Sequence, residues 1–310
     1  MAPEGSASAR DPSTEGGPPF SRVVLIFNPA AGKTPAMAAE RMRLALRTRV
    51  PDLPVRLEPT AYAGHARILS RAALDQGRGT PLLISVSGDG GYSDVVNGVM
   101  ENGGRAVCAV VGAGNANDHR RSTRTEPLVD AIERGQVRRI DLLRISVGEG
   151  GGQWTRWAHS YIGFGLTPRM AIGIERGVKG RFSELVSVAR VLRTLAPIEI
   201  IRENGSYATL DSLLLANITG VAKYGKIASA SEPDDGKFEV LVLPHAAKWR
   251  IALMALRAVT IGLDPQESVQ RFSFMSSRTI PIQVDGEVLK LQAGQQVVVE
   301  SIPLSLTTLG

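Results

Sequence analysis

The chain has 310 residues, 43% apolar and 21% charged, an ordinary globular composition that excludes wholesale disorder and is long enough for one large domain or two of usual size. Its 36 basic against 30 acidic side chains leave a net charge of +6, which favours anionic partners (nucleotide, phospholipid surface, nucleic acid) without choosing among them. The single cysteine, Cys108 inside "AVCAVV", excludes an intramolecular disulfide and a cysteine-rich metal site, and its setting reads as a buried structural thiol.

Residues 1–20, "MAPEGSASARDPSTEGGPPF", are rich in Pro, Gly and Ser and contain no apolar core, so they read as a disordered tail and not as a secretory signal. "RVVLIFNPAAGK" is then a buried strand stopping at Asn28-Pro29. Pro35 to Val50 is an amphipathic helix with proline where its missing N–H is harmless. "VRLEPT" is a strand, "GHARILSRAALDQG" a helix, and "PLLISVSG" a third strand. Behind it Ser93 is a candidate cap for a helix whose Val95, Val96, Val99 and Met100 face the core, with Asp94 and Asn97 on another side. "AVCAVVGAGNAND" supplies a fourth strand. This alternation predicts an α/β domain with a mostly parallel sheet over residues 21–139, with 301–310 as a candidate completing strand.

From residue 140 the pattern changes. "RRIDLLRISV", "RWAHSYIGFG", "IEIIREN", "ATLDSLLLANIT", "KFEVLVLP", "RTIPIQVDGE" and "QQVVVESI" are strands without regular helices between them, predicting a β-rich, sandwich-like second domain over 140–300. Two helical candidates interrupt it, Phe182 to Leu195 and Lys248 to Leu263. The most apolar segment, "IALMALRAVTIGL" from Ile251, is about 13 residues interrupted by Arg257, too short and too charged to span a bilayer. A reducing, cytoplasmic setting is the expectation.

Three loops leave predicted strands at one edge of the first sheet: Asn28 to Lys33, Ser87 to Gly91 and Gly112 to Asn117. Any one of them could merely turn the chain. Three in register predict a site, because ligands of open α/β sheets bind at the carboxyl ends of strands and glycine lets backbone N–H groups approach phosphate oxygens. Two familiar motifs nearly fit and fail. "NPAAGKT" has Phe27 where a P-loop needs its first glycine, and "GAGNAN" has Asn117 where the dinucleotide fingerprint wants glycine or alanine.

The ordered set "NPAAGK", "TAYAGHA", "SGDGGYSDVVNGV", "GAGNAND", "PDDGKFEVLVL" and "VDGE" resembles the diacylglycerol kinase and sphingosine kinase lipid kinase superfamily, itself related to NAD kinases, over nearly the whole chain after residue 20. The resemblance implies an ATP cleft between the two domains. Asn28, Gly32, Lys33, Thr60, Ser87, Gly88, Asp89, Gly90, Gly114 and Asn115 would contact the nucleotide. Asp89 would lie near the reacting centre, where a carboxylate could hold Mg²⁺ or accept a hydroxyl proton. Members of that superfamily frequently carry threonine or leucine after the second glycine and glutamate before "VVNG"; this chain has Gly91 and Asp94 there.

In the second domain, composition alone reads Asp285-Gly286 as a hairpin turn and "PDDG" as a turn before a strand. The resemblance adds Asp285 as general base for the acceptor hydroxyl, Glu287 as its supporting carboxylate, and Asp235 as a Mg²⁺ ligand. It implies a lipid acceptor such as diacylglycerol or a sphingoid base. The stripe Phe182, Leu185, Val186, Ala189, Leu192 and the stretch Trp249, Leu253, Leu256, flanked by arginines and lysine, are core faces or points of contact with an anionic membrane surface. The alternatives are a soluble acceptor such as NAD, or binding of nucleotide or lipid without turnover. Nucleic acid is not an expected partner, and a homodimer is open.

Overall fold

The computed structural model describes residues 18–112, 126–148, 152–165, 196–218, 233–247, 250 and 267–309. The candidate helices Phe182 to Leu195 and Lys248 to Leu263 fall outside these residues apart from exposed Arg250, as do Gly114 and Asn115. The first part follows the expected alternation: β1 (Arg22–Phe27), α1 (Lys33–Arg49), β2 (Val55–Pro59), α2 (His65–Asp75), β3 (Pro81–Ser87), α3 (Asp89–Glu101) and β4 (Val107–Gly112). A short helix not foreseen in the sequence, α4 (Leu128–Arg134), closes it.

The parallel strands lie in the order β2, β1, β3, β4. Ala39 and Leu46 of α1 pack with Ala131 and Ile132 of α4 over one face of the sheet. Ala66 and Ala73 of α2 join Tyr92, Val95, Val96 and Val99 of α3 on the other. Phe20, assigned to the tail, is 4% exposed within the first of these clusters, so ordered packing begins before the first strand. Cys108 is buried in β4, and burial pushes its thiol up to about 12, which leaves it inert.

The rest is strand after strand: β5 (Val137–Gly148), β6 (Trp154–Ala158), β7 (Tyr161–Gly165), β8 (Ile198–Arg202), β9 (Tyr207–Ala216), β10 (Phe238–Pro244), β11 (Glu267–Val269), β12 (Arg271–Ser276), β13 (Ile280–Val284), β14 (Glu287–Leu291) and β15 (Gln296–Leu309). Their inward residues form one cluster in which Phe164 of β7 meets Phe274 of β12 edge to face at 5.2 Å, although the two strands are not neighbours in the sheet. Strands thus pack face to face, as in a sandwich. The run "RWAHSYIGFG", expected as one strand, is two: β6 and β7 are broken at His159-Ser160, whose backbone N–H groups turn to a carboxylate instead of a ladder.

β15 joins the two parts. Its first half pairs antiparallel with β12, and its end pairs parallel with β4 through Thr307–Val107 and Thr308–Cys108. β5 runs alongside it for nearly its whole length, with an irregularity between Ile302 and Leu306. All fifteen described strands therefore belong to one hydrogen-bonded system.

Candidate active site

β1 and β3 are neighbours, yet the chain leaves them toward opposite faces, into α1 and α3. This is a topological switch point, where an open α/β sheet leaves a crevice at the carboxyl ends of its strands. A cavity of about 210 Å³ lies there, lined by Asn28, Thr60, Gly64, Ser87, Gly91 and Asp94 among others. Asn28 and Thr60 come from the ends of β1 and β2, and the Thr60 N–H donates to the Phe27 carbonyl at 2.8 Å. The Asn28 side chain accepts the Ala30 N–H at 2.9 Å, shaping the turn that passes through Gly32 at φ +101° to the exposed Lys33 at the start of α1. His65 accepts the Ala61 N–H at 3.0 Å and stacks on Tyr62, holding the loop above α2.

The "SGDGG" turn enters α3 directly, with Asp89 as its first residue. Ser93 is therefore not the helix cap; it is buried in the second turn. Asn97, expected on a polar side, is 2% exposed and clasps the backbone of Trp157, accepting its N–H and donating to its carbonyl, both at 2.9 Å. A polar side chain can face inward when a neighbouring strand satisfies it. Ser87 pairs with Ser85, hydroxyl to hydroxyl at 2.7 Å, and lies opposite Gly112 in the sheet register.

The second part of the fold contributes the hairpin turn between β13 and β14. Asp285 at φ +44° and Gly286 at φ +95° both occupy the left-handed region that a two-residue hairpin of this kind requires. This turn packs on the start of α3: a Cβ added at Gly286 would lie 3.5 Å from the Gly90 nitrogen, and one added at Gly90 would lie 3.9 Å from the Asp285 carbonyl oxygen. The two aspartate-glycine turns, Asp89-Gly90 and Asp285-Gly286, lie far apart in the chain and meet at the switch point.

The Asp285 side chain is turned inward and fully buried. Its Oδ2 accepts the His159 N–H at 2.6 Å, and its Oδ1 accepts those of Ser160 at 3.0 Å and Tyr161 at 2.9 Å. Burial pushes this carboxyl up to about 7 against the pull of the three N–H donors, and the Asp89 charge adds to the rise. His159, also fully buried, was not singled out by sequence reasoning. Its Nε2 is 3.3 Å from Asp285 Oδ2, its Nδ1 is 2.7 Å from Ser160 Oγ, and its ring lies 4.8 Å from that of Tyr92. Burial lowers the imidazole to about 4, although Asp89 favours its charged form through its carboxylate and its backbone. The one sequence signal was the break in alternation at "AHS".

Glu287, following the turn, is partly exposed and sits 3.4 Å from Arg156 Nε. Asp94, across the cleft, has its carboxyl raised by burial and next by Glu287, while the Gly64 N–H draws it down. Arg67 of α2 completes this group, its guanidinium lowered by burial and then by Arg156. Asp235 lies elsewhere, in the turn before β10, where its Oδ1 accepts the Lys237 N–H at 2.8 Å. Neighbouring Asp141 accepts the N–H groups of Gly236 and Leu304 at 2.6 and 2.7 Å. Among the described residues no three His, Cys, Asp or Glu side chains converge into a preformed cation site. The oxygen donors nonetheless fit Mg²⁺, which keeps waters and takes one or two carboxylates together with substrate phosphates.

A parallel α/β sheet with a switch-point cleft, onto which a strand-rich second part lends a turn, defines the two-part fold of diacylglycerol kinase-like proteins. Residues 22–145 match the diacylglycerol kinase catalytic domain family, in agreement with the resemblance carried by the motifs. The chain is 25% identical over 295 residues to the diacylglycerol kinase of Bacillus subtilis (strain 168), covering 90% of this chain and 93% of that one. It is also 25% identical over 246 residues to the diacylglycerol kinase of Staphylococcus saprophyticus, covering 73% of each. A crystal structure of a diacylglycerol kinase from Bacillus anthracis shares the fold with a TM-score of 0.67 at 17% identity, covering 94% of this chain and 97% of that one. Yeast NADH kinase is more distant, at a TM-score of 0.51 and 12% identity, covering 91% of this chain and 78% of that one.

Proposed function

We propose that the protein is an ATP-dependent lipid kinase that transfers the γ-phosphate of ATP to a hydroxyl of a lipid such as diacylglycerol or a sphingoid base. The observation that carries this reading is the contact of the Asp89-Gly90 turn with the Asp285-Gly286 turn at the mouth of the switch-point cleft. Phosphoryl transfer requires mainly positioning and charge neutralisation, and glycine turns that bring backbone N–H groups and carboxylates to one point provide both. Asn28, Gly32, Lys33, Thr60 and Ser87 to Gly90 would hold the nucleotide, joined by Gly114 and Asn115.

Asp285 would take the proton of the acceptor hydroxyl. A carboxyl raised to about 7 is a far better proton acceptor than an ordinary aspartate and is still ionised in part at neutral pH. Asp89 would steady charge at the reacting centre, and Glu287 would support Asp285. Mg²⁺ would neutralise phosphate charge in the cleft, where Asp89 offers a carboxylate, whereas Asp235 and Asp141 lie in the turn before β10 and could hold a cation only there. Among the described residues no helix is long and apolar enough to cross a membrane.

The fold alone also accommodates a soluble acceptor, as the likeness to yeast NADH kinase indicates, but the curated relatives bearing the name diacylglycerol kinase match far more closely. The deciding experiment is transfer of radiolabelled phosphate from ATP to a panel of diacylglycerol, sphingoid and polyprenol lipids, with NAD as the soluble control. Labelled lipid is expected; label in NAD alone, or in nothing, overturns the reading.

A further inference from the structure

We infer that His159 is a positioning residue that fixes the Asp285 carboxylate relative to Asp89 across the junction of the two parts of the fold. The inference rests on the proposed phosphotransfer for its kinetic consequence and on geometry alone for its structural one.

Three backbone N–H groups already hold the Asp285 carboxylate, and any residue at 159 could supply the first of them. The imidazole adds what the backbone lacks. The Ser160 hydroxyl lies 2.7 Å from Nδ1, and when it donates to that nitrogen the ring proton sits on Nε2. Nε2 lies 3.3 Å from Asp285 Oδ2, touching the carboxylate without the alignment of a hydrogen bond, and the Asp89 backbone is an acceptor for the ring. The opposite constraint comes from α3: the ring lies against Tyr92, three residues after Asp89, at 4.8 Å and 56°. One side chain therefore touches the carboxylate turn from the second part and the helix that begins with Asp89 in the first. Complete burial keeps the imidazole neutral above about pH 4, so it acts as a fixed donor and not as a migrating charge.

A merely space-filling histidine and a positioning one respond differently to substitution. His159→Leu keeps most of the volume and removes both ring nitrogens. His159→Gln places an amide donor near the Nε2 position. Lipid-dependent ADP release by the full chain is expected to show kcat reduced ~10- to 100-fold in H159L, the scale of a small misplacement of reacting groups, with the KM for ATP within about twofold of wild type. H159Q should recover most of that loss. The inference is overturned if H159L keeps the wild-type kcat, or if both variants lose kcat, KM and melting temperature together. Should the wild-type protein phosphorylate no lipid, the proposed function fails separately, and ¹³C NMR still decides the geometry. The Asp285 carboxyl resonance should move in H159L and return toward its wild-type position in H159Q; one unchanged position in all three overturns the inference.

Discussion

The Ser87 hydroxyl occupies the space that a side chain at Gly91 would need: a Cβ at Gly91 would lie 2.5 Å from Ser87 Oγ and 2.7 Å from Ser87 Cβ. Ser85 fixes that hydroxyl from below, and Ser87 itself donates to the Gly88 carbonyl at 2.9 Å. Only one of the two positions can carry a side chain, and here it is the one on the strand. The glycine at 91 is thus compensated, because a hydroxyl lines the cleft from Ser87 instead.

Gly91→Ser should accordingly weaken both ATP binding and the fold, by about 1–3 kcal/mol for an overpacked site. Moving the hydroxyl across with the pair Ser87→Gly and Gly91→Ser should recover much of the loss, since the clash is removed and one hydroxyl remains. Calorimetric ATP affinity and urea unfolding of wild type, both single variants and the double variant test this. A double variant no better than G91S would show that the two residues do not share one volume.

If Asp285 is the base, only its ionised form works. With the carboxyl at about 7, the rate should climb with pH through a one-proton limb centred near neutrality and level off above it. Asp285→Asn should lower kcat by ~10²- to 10⁴-fold, the usual contribution of general base catalysis. A rate profile flat from pH 5.5 to 8.5 (an assay range of about three units around the expected midpoint) would remove Asp285 from this role.

Asp285 and His159 also pull stability in opposite directions. The Asp285 carboxyl rises from 3.8 to about 7 on folding, so its contribution is full below 3.8 and is lost as pH rises toward 7. The His159 imidazole falls from 6.5 to about 4, so its contribution is full above 6.5 and is lost as pH falls toward 4. Between those limits the two slopes oppose each other. Asp285→Asn should leave the histidine slope alone, so that stability increases with pH from about 4 to 6.5 more steeply than in wild type. H159L should show the reverse, a fall across the same range. Urea midpoints at several pH values read both slopes, and parallel profiles for all three proteins would contradict the assignment.

The parallel half of the fold was legible because its helices and strands are each long enough to display a period, and its glycine loops close the strands in sequence order. α4 was not, since seven residues give barely two turns. The break between β6 and β7 shows in the sequence only as a lapse of alternation at "AHS", which does not say that the N–H groups of residues 159–161 leave the ladder for a carboxylate 124 to 126 residues away. His159 escaped notice for the same reason. In sequence it is one polar residue in a strand-like run, and only the three-dimensional return of the 285–286 turn gives it a partner. Asn97 was misread because helical periodicity assigns a face by polarity, whereas its neighbour in space is a strand edge.

That edge makes Asn97 the most direct structural test of the junction. β6 pairs only with β5 among the described strands, so the outer N–H and carbonyl of Trp157 would lack a partner were it not for the Asn97 amide, which meets both at 2.9 Å. The amide matches the backbone pair as another strand would, and it comes from the helix whose first residue is Asp89. Asn97→Ala leaves two largely buried backbone groups unsatisfied, each costing about 1–3 kcal/mol, so a total loss of about 2–6 kcal/mol is expected in urea unfolding. Asn97→Asp retains the acceptor for the Trp157 N–H but loses the donor and adds a buried charge, so it should be at least as damaging as alanine. Because α3 is tied to β6 through this amide, both variants should also speed hydrogen exchange at the Trp157 amide and at the start of α3. Loss of less than about 1 kcal/mol in N97A, with exchange unchanged, would mean that water replaces the amide freely and that the junction is held elsewhere.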